Sequence, residues 1–596
     1  MTFDVIFSPS ACSVIVLKSG IWNSESFVFI CVHLVPFGFT CFLLSDVRHC
    51  VALGAGVTCI KIFTMKLISA LALVMLSFSG LAQDAFNYSL EINPITIDGL
   101  PGMHSYVWGQ HEGKWLIIGG RLDGMHARQP FNSFPESQNN TDIYVIDINE
   151  QQFWSASLNP LPTALEEQLQ STNMCHVQVG DTLYLAGGYA YSNTSLDHIT
   201  FPNLTTINIS GLIDAVVNGT DITSYFKQVE SADFAITGGY LGQLNGTFYL
   251  VGGHRFDGNY NPMGMPTYTQ AYSNQIRKFT IDNSGDQLSF VNTENVTDEV
   301  HLHRRDYNLV PQIFPDGAEG FMMSAGVFQV NADLPFLYTI DVNDDGYTPQ
   351  TDFNQYLCNY HSAKAALYDS ENNQMHSLFF GGMSQYYYQN GNLVEDQAVP
   401  FVKTISRVSR YADGSLHEFA LPIEMPQLVG SSAEFIPNYV LPQYQSEIIK
   451  LSDISGDVVV LGHIYGGILS PSLNPFSVNQ TSTTSASNVI YEVKLIRNDD
   501  VDVKEIDGVN SFDVTVFPNP VIEDLEVKMN LSKNAEVYYL VSDSNGKLIA
   551  NGLWKATKKG ENQFVIPLEA SLPSQTLTVS FVLDDKYYSI KKVVKK

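Results

Sequence analysis

Polar side chains that could bind a small molecule recur along the sequence, close to the starts of short apolar runs. Histidine, arginine and tyrosine can transfer protons or pair with charge, while asparagine and serine can hydrogen-bond to a ligand. If the apolar runs are inner strands of one fold, these residues surround one axis and form a polar pocket. The candidate ligand-binding residues are His104, Asn173, His176, Tyr240, Arg305, Tyr307, His361 and Ser431.

A structural role is the alternative for this set, because polar residues on inner strands also bind internal water and one another. The spacing of two members links them to a repeat. Arg305 and His361 each lie 20 residues before a small-residue pair, which begins at Ala325 in one case and at Gly381 in the other. Equal spacing predicts that Arg305 and His361 occupy equivalent positions in a repeated fold.

The segment DVNDDGYTPQTD, residues 341–352, has the spacing of a calcium-binding loop, with glycine at the sixth place. Carboxylate and amide oxygens at alternate positions, followed by an acid at the twelfth, suit the coordination of Ca²⁺. The segment follows the apolar run FLYTI and lacks flanking helices, so a tight turn between two strands is the alternative. The predicted calcium ligands are Asp341, Asn343, Asp345 and Asp352.

A sequence repeat predicts the elements that would position these residues. A short apolar strand ending in small residues recurs six times, and each copy is followed by a polar stretch and a second strand. One such unit is a small antiparallel sheet that cannot bury both faces alone. We therefore expect an all-β fold in which the units stack radially as a six-bladed propeller. The repeated strands are WLIIGG (115–120), LYLAGG (183–188), FYLVGG (248–253), FMMSAG (321–326), SLFFGG (377–382) and VVVLGH (458–463).

This pattern resembles the kelch-repeat β-propeller family over roughly residues 99–498. Two units depart from it, with Ala325-Gly326 and Gly462-His463 in place of the glycine pair, and the units exceed the usual length of about 50 residues. The resemblance implies a kelch-like propeller over 83–498, with one face elaborated by insertions after the glycines. Residues 87–97 are a candidate extra strand of the last blade. The matching residues are Gly119-Gly120, Gly187-Gly188, Gly252-Gly253, Gly381-Gly382, Tyr144 and Trp154.

The segment TMKLISALALVMLSFSGLAQDAF, residues 64–86, has the three parts of an export signal. Lys66 supplies the positive charge, an apolar run follows, and small residues precede Gln83. We predict a signal peptide over 65–82 with cleavage after Ala82. Residues 1–64 are then an upstream extension from a misassigned start. The alternative for them is a hydrophobic membrane anchor in the apolar run 27–44.

The tail, residues 511–596, follows an acidic linker over 499–510 and alternates as short strands, which predicts a small β-sandwich. It resembles the type A C-terminal sorting domain of proteins exported by the Bacteroidetes type IX secretion system. The resemblance implies that the outer-membrane secretion machinery is a partner, and that the tail is removed as the protein is released or attached at the cell surface. An ordinary binding module is the alternative. The matching residues are Phe517, Pro518, Asn519, Pro520, Leu525, Val527, Asp543, Gly546, Lys547, Gly552 and Lys591–Lys596.

Composition limits the function classes. The net charge of −29, from 61 acidic and 32 basic residues, argues against a nucleic-acid partner. We expect a non-catalytic glycan- or protein-binding protein, secreted or held at the cell surface, with its ligand on the loop-rich face and channel mouth. The alternative is a carbohydrate-active enzyme (an oxidase, epimerase or lyase) that uses His104, Arg305, Tyr307 and His361. An enzyme would gather such groups in one enclosed cavity with perturbed pKa values, whereas a binding module would present a shallow aromatic surface.

Overall fold

The computed structural model describes residues 86–498 and 513–596, apart from 263–266, 390–391, 532–533, 543–547, 556 and 584–586, together with four strands before residue 43. The predicted signal peptide (65–82), the acidic linker (499–510) and the tail's Asn-Gly turn (544–546) lie outside the described residues. The described chain is all-β, as predicted, with many small antiparallel sheets.

The first compact unit, Met1–Asp84, contains a four-stranded antiparallel sheet in chain order. The run that suggested a membrane anchor forms two of these strands, because its β-branched and aromatic residues favour extended backbone. The anchor helix expected there is therefore wrong, and no helix in the described residues is long and apolar enough to cross a membrane. The four strands are Phe3–Phe7, Cys12–Lys18, Phe27–Val35 and Gly38–Phe42.

The second unit, Ala85–Lys596, contains six antiparallel sheets that follow one another along the chain. Sheets 1 to 4 each have four strands in chain order. Sheet 1 comprises Val107–His111, Lys114–Ile118, Asp142–Asp147 and Gln152–Ser157; sheet 2 comprises Cys175–Val179, Thr182–Ala186, Asn203–Asn208 and Phe226–Glu230; sheet 3 comprises Tyr240–Leu244, Thr247–Val251, Gln275–Asp282 and Ser289–Thr297; sheet 4 comprises Leu309–Ile313, Glu319–Met323, Ile340–Asn343 and Gly346–Pro349.

Sheets 5 and 6 each gain a strand from a distant part of the chain. In sheet 5, Ile449–Lys450 pairs in parallel with the first strand. In sheet 6, Tyr88–Ile95 pairs with Ile490–Arg497, which confirms the strand predicted near residues 87–97. The remaining strands of sheet 5 are Ala363–Asp369, Gln374–Phe380, Thr404–Arg410 and Leu416–Glu424, and those of sheet 6 are Ser431–Pro437, Val458–Leu469 and Ile490–Arg497, with Ser485–Ala486 paired to the second of these.

Smaller elements decorate the sheets. Three hairpins come shortly after glycine pairs: Tyr189–Ser192 with Asp197–Thr200, His254–Gly258 with Tyr268–Tyr272, and Tyr386–Gln389 with Asn392–Glu395. In the described residues the α-helices are α1 (Thr163–Leu169) and α2 (Ile209–Asn218), and the 3₁₀ turns are Pro130–Asn132, Glu136–Gln138, Thr223–Tyr225, Ala232–Phe234, Leu451–Asp453 and Thr481–Thr483.

Local sequence explains the hairpin that begins each sheet. In sheet 3, Leu244 pairs with Thr247 across the two-residue turn Asn245-Gly246, and both turn residues have positive φ (49° and 84°). An Asn-Gly turn of this kind matches the twist of the two strands that it joins. Glycine is required after the second strand for another reason. A Cβ at Gly187 would lie 1.8 Å from the carbonyl oxygen of Ile236, so the chain leading into sheet 3 leaves no room there.

The starts of the six first strands are joined by a cyclic series of backbone hydrogen bonds. One residue before each first strand donates its N–H to the carbonyl of the matching residue of the preceding sheet, over 2.8–3.4 Å. Following the donors from Ser105 returns to Ser105 after six bonds, so the six starts lie next to one another around a common centre. In donor order the residues are Ser105, Ser432, His361, Asp306, Gly238 and Asn173.

The tail has its own apolar core. A three-stranded and a four-stranded antiparallel sheet both contribute to one buried cluster that contains only residues of the tail. Asn519 of the predicted sorting motif binds the last strand, because its Nδ2 donates to the Lys592 carbonyl (3.2 Å) and its Oδ1 accepts from the Val594 N–H (2.9 Å). The strands are Asp513–Phe517, Asp524–Leu531 and Gly560–Pro567 in one sheet, and Val537–Ser542, Leu548–Trp554, Gln575–Leu583 and Tyr587–Lys595 in the other.

Candidate functional site

A cavity of about 770 Å³ lies between the first strands of all six sheets. Each of these strands contributes wall residues, and a segment that we call the crossover (residues 438–450) adds more. The crossover leaves the first strand of sheet 6 and ends at Ile449–Lys450, the strand that pairs with sheet 5. One lining residue from each sheet, in chain order, is Trp108, His176, Tyr240, Leu309, Lys364 and Glu434, and the crossover contributes Tyr444, Gln445, Ser446, Glu447 and Ile449.

The cavity reaches toward the hairpin turns of the first strands. Its wall includes Gly180 and Asn245-Gly246, which are turns between first and second strands. The loops that follow the glycine pairs leave from the opposite ends of the first strands, near the cyclic hydrogen bonds. The cavity is therefore not at the loop-rich end, where the sequence placed the ligand.

A much smaller cavity of about 20 Å³ lies at the other end, against the cyclic hydrogen bonds. It shares His176, Tyr240 and Glu434 with the large cavity. Its volume is that of roughly one water molecule. Of the predicted residues, Asn173 and His361 line only this smaller space, so the structural alternative fits Asn173 best.

An ion cluster separates the two cavities. His361 Nε2 lies 2.8 Å from Glu434 Oε1, and Lys364 Nζ lies 3.8 Å from Glu434 Oε2. Burial acts to raise the pKa of Glu434, but the positive charges of Lys364 and His361 and the hydrogen bond from His361 outweigh it and lower the pKa to about 2. Glu434 is therefore ionised at physiological pH, and its charge is compensated within the protein.

Tyr240 and His176 complete the inner wall in neutral form. Lys364 Nζ donates to the Tyr240 hydroxyl (3.3 Å) and also lies 4.6 Å from the centre of its ring. Burial raises the pKa of Tyr240 well above its usual value. Burial lowers the pKa of His176 to about 4, so its imidazole is uncharged beside Trp108, whose ring centre is 6.3 Å away.

The crossover presents two further polar groups to the cavity. Glu447 has a φ of 64°, a left-handed conformation that is rare for a residue of its size and that is typical of functional sites. Burial raises its pKa to about 7, with Lys364 opposing and Glu434 adding to the rise. The hydroxyl of Ser446 is buried and has no hydrogen-bond partner within the described residues. Both groups therefore remain available to a ligand.

Two predicted residues belong to the packing and not to the cavity. Tyr307 is fully buried, and its hydroxyl donates to the Val251 carbonyl at 2.6 Å. Ser431 is buried and forms a backbone bridge with Ser362. The prediction that Tyr307 and Ser431 contact a ligand is wrong for the cavities found here, because side chains alternate along a strand and these two point into the layers between sheets.

Two other predicted residues form ion pairs at the loop-rich end. Arg305 pairs with Asp306 and donates from Nε to the Tyr272 hydroxyl (3.2 Å). His104 Nδ1 lies 2.9 Å from Ser105 Oγ, and its Nε2 lies 3.9 Å from Asp123. Neither residue lines the large cavity. The proposed enzyme set of His104, Arg305, Tyr307 and His361 is therefore not assembled in one place.

The predicted equivalence of Arg305 and His361 is off by one residue. The cyclic hydrogen bonds pass through Asp306 and His361, so these two are equivalent. Arg305 instead forms an antiparallel bridge with Val327, one position earlier. Counting from the small-residue pair misplaced them because the connections between first and second strands differ in length: Asp306 lies 19 residues before Ala325.

The predicted calcium loop is a strand hairpin. Asn343 pairs with Gly346, which leaves a two-residue turn, and the carboxylate of Asp341 accepts hydrogen bonds from Arg410 Nη2 (2.5 Å) and Gln350 Nε2 (2.7 Å). A carboxylate compensated by a buried arginine does not need a cation. Among the residues that the structure describes, no group of three or more His, Cys, Asp or Glu could hold a metal ion. The calcium prediction for Asp341, Asn343, Asp345 and Asp352 is therefore wrong for this arrangement, and the tight-turn alternative is confirmed.

Sequence reasoning missed Lys364, Glu434 and Glu447. A signal for the first two was present, since each is a lone charged residue in an otherwise apolar inner strand (HSAKAAL and GSSAEF). A buried charge in such a strand needs a partner, and these two are each other's partner. Glu447 had no comparable signal, because the crossover belongs to no repeat.

Comparisons with known proteins leave the family open. No family model matches the chain, and no curated protein matches it. Similar solved structures include YjhT (12% identity, 63% of this chain and 93% of that chain, TM-score 0.36). Others are RAG in complex with one melted and one unmelted RSS (11%, 68% and 99%, 0.34) and RS223-β-xylosidase (9%, 67% and 94%, 0.25). These TM-scores are below 0.5, so the similarities carry no argument about this chain.

Proposed function

We propose that residues 86–498 form a six-bladed β-propeller, and that the cavity on its axis binds a saccharide or a similar small polar molecule. The cyclic series of six backbone hydrogen bonds supports the propeller, since it joins one position of every sheet. The strand Tyr88–Ile95 supports it too, because it completes the last sheet with the first residues of the described unit. The resemblance to kelch repeats adds to both.

One observation carries the binding proposal: all six first strands meet around a single cavity of about 770 Å³. Ligand sites commonly measure about 300–1,000 Å³ and combine apolar walls with a few placed polar groups. Here Trp108, Phe321 and Tyr444 supply aromatic surface, while Lys364, Glu434 and Glu447 supply charge. This volume suits a mono- or disaccharide better than a folded protein partner. Of the two binding roles expected from the sequence, we therefore propose glycan binding.

A carbohydrate-active enzyme is the second candidate, and Glu447 is the observation that favours it. A carboxyl group with a pKa of about 7 can accept and donate protons near neutral pH, as general acid–base catalysis requires. The pKa of Glu434 is about 2 in the same cavity, so the two carboxyl groups would differ in protonation. In this second role Glu447 would transfer the proton, whereas the ionised Glu434 would hold Lys364 in place.

We further propose that the protein is exported and that its tail, a β-sandwich, directs type IX secretion. The signal-like segment at 65–82 and the sorting-domain resemblance of 511–596 support this proposal together. The secretion machinery of the outer membrane is then the partner of the tail. The acidic net charge of −29 supports the absence of a nucleic-acid role.

Calorimetric titration of the full chain with neutral mono- and disaccharides tests the binding proposal. Gln243 lines the cavity, so Gln243→Trp should fill part of it and weaken saccharide binding by at least about tenfold, or about 1.4 kcal/mol. Asn295→Trp, at an exposed position on the last strand of the same sheet, is the matched control and should bind normally. Absence of saccharide binding, or unchanged binding by Gln243→Trp, would overturn the proposal.

A further inference from the structure

We propose that the cavity selects a saccharide bearing an amino group, and that the carboxylate of Glu447 binds its ammonium. This inference rests on the proposed saccharide-binding function and adds the chemical class of the ligand. It depends on which charges in the cavity are already compensated. The charged and titratable groups of the wall come from five of the first and second strands and from the crossover: His176, Tyr240, Glu319, Lys364, Glu434, Tyr444 and Glu447.

The wall carries more negative than positive charge. Glu319, Glu434 and Glu447 are acidic, whereas Lys364 is the single lysine or arginine among the lining residues that the structure describes. His176 does not add positive charge, because burial lowers its pKa to about 4. Burial also raises the pKa of Tyr240 and of Tyr444, so both phenols are neutral. An anionic ligand would therefore meet like charge on most of the wall.

The charges of Glu434 and Lys364 are already compensated. Glu434 pairs with His361 and Lys364 on its two oxygens (2.8 and 3.8 Å). Lys364 also contacts the ring and hydroxyl of Tyr240. Glu319 is exposed, so water solvates its carboxylate. None of these three groups needs a ligand to supply a counter-charge.

Glu447 differs from them, because its carboxyl group has no hydrogen-bonded or ion-paired partner within the described residues. Its backbone is held in a left-handed conformation that directs this residue into the cavity wall. A partly buried carboxylate without a partner is unfavourable, and a cation that binds it removes that cost. An ammonium group on the ligand fits this requirement.

Ser446 supplies a second contact of the same kind. Its hydroxyl lines the cavity, is buried and lacks a partner among the described residues. A hydroxyl oxygen accepts one of the three N–H groups that an ammonium carries, while the carboxylate of Glu447 accepts another. Adjacent residues of the crossover therefore offer two acceptors, as an amino group requires, and the aromatic walls remain for the sugar ring.

Binding of an ammonium should be linked to proton release. The pKa of Glu447 is about 7, so its carboxyl group is about half protonated at pH 7. The bound cation favours the ionised form, and the carboxyl group then loses its remaining proton to solvent. A neutral sugar gives no such change. Proton release is therefore a signature that distinguishes an ion pair at Glu447 from a simple gain in contacts.

The experiment compares glucosamine, glucose and glucuronic acid by calorimetric titration of the full chain near pH 7. We expect glucosamine to bind at least about tenfold more tightly than glucose, and glucuronic acid to bind most weakly. Titration in two buffers with different ionisation enthalpies measures the proton release. Glu447→Gln should bind glucosamine and glucose alike and lose this component, while Glu319→Gln, the exposed carboxylate of the same wall, should behave as the unchanged protein.

The outcomes separate this inference from the proposed function. If glucose binds and glucosamine has no advantage, or if glucuronic acid binds most tightly, the amino-group inference is overturned while saccharide binding stands. If none of the three sugars binds, both are overturned. An advantage for glucosamine that persists in Glu447→Gln would also overturn the assignment of Glu447. Glucose binding by Glu447→Gln shows that this variant is folded.

Discussion

At the scale of single residues, the cavity holds two carboxyl groups that their surroundings shift in opposite directions. Glu434 is buried against Lys364 and His361, and its pKa falls to about 2. Glu447 is also buried, but Lys364 opposes its rise only in part and Glu434 adds to it, so its pKa rises to about 7. Burial acts alike on both, and the position of the nearest cations decides the difference.

The raised pKa of Glu447 predicts a pH-dependent stability. Between pH 4.5 and about 7 the folded protein keeps this proton while the unfolded chain loses it, so this group makes the protein less stable as the pH rises. The loss is complete above pH 7 and amounts to at most about 3 kcal/mol. Glutamine does not ionise, so Glu447→Gln should raise the thermal midpoint relative to the unchanged protein at pH 8 and scarcely at pH 4.5.

Thermal unfolding of both proteins across this range measures the effect. Glu424→Gln, at an exposed position on the edge strand of sheet 5, is the control, and its difference from the unchanged protein should not vary with pH. An Glu447→Gln variant whose advantage is the same at pH 4.5 and pH 8 would contradict the assigned pKa shift. Because only differences between variants are compared, other titrating groups, such as Glu418, cancel.

At the scale of elements, two segments connect parts of the chain that are distant in sequence. The crossover carries Ser446 and Glu447 to the cavity and ends by pairing with sheet 5. The strand Tyr88–Ile95 joins the last sheet about 400 residues later in the chain. Its Leu90 packs in the same buried cluster as residues of sheets 5 and 6. Both segments thus link the sheets around the cavity.

Removal of the Leu90 side chain tests the contribution of this strand. Leu90 is 7% exposed, so Leu90→Ala should lower the free energy of unfolding by about 3 kcal/mol through lost burial and an unfilled cavity. Asn93→Ala, on the same strand but less buried, should change it by no more than about 0.5 kcal/mol. Denaturant unfolding measures both values. Equal small effects of the two substitutions would show that the strand contributes little.

At the scale of the whole molecule, the chain combines a large six-sheet part with a tail that has a separate core. The core of the tail contains only residues between Val514 and Val593. The sorting motif is fixed to the last strand through Asn519, and the Val521 N–H adds a bond to the Val594 carbonyl (2.8 Å). A tail built in this way can be recognised and removed without disturbing the core of the six sheets.

Deletion of residues 511–596 tests the secretion proposal. In a Bacteroidetes host with a type IX system, the complete chain should reach the medium or the cell surface, while the truncated chain should stay in the periplasm. Cell fractionation followed by immunoblotting measures the location. Glu569→Gln, at an exposed position on the tail, is the control and should be secreted normally. Secretion of the truncated chain would show that the tail is not the sorting signal.

The sequence predicted some parts of the site and not others, for reasons that specific residues make clear. His176, Tyr240 and His361 were found because inner strands could be located from the apolar runs that follow them. Tyr307 and Ser431 were misassigned because strand residues alternate between faces, and the register of an inner strand cannot be read from its start alone. Glu447 was missed because an irregular segment leaves no periodic signal.

By itself, the sequence determined the all-β class, the six repeated sheets and the extra strand near residue 90, because apolar alternation and glycine turns are local signals. Only the tertiary structure decided which charged groups share a cavity. Lys364 and Glu434 lie 70 residues apart, and the ion pair between them depends on how the sheets meet. A pKa depends on burial and on charges that are near in space, so Glu434 and Glu447 could be told apart only in the folded chain.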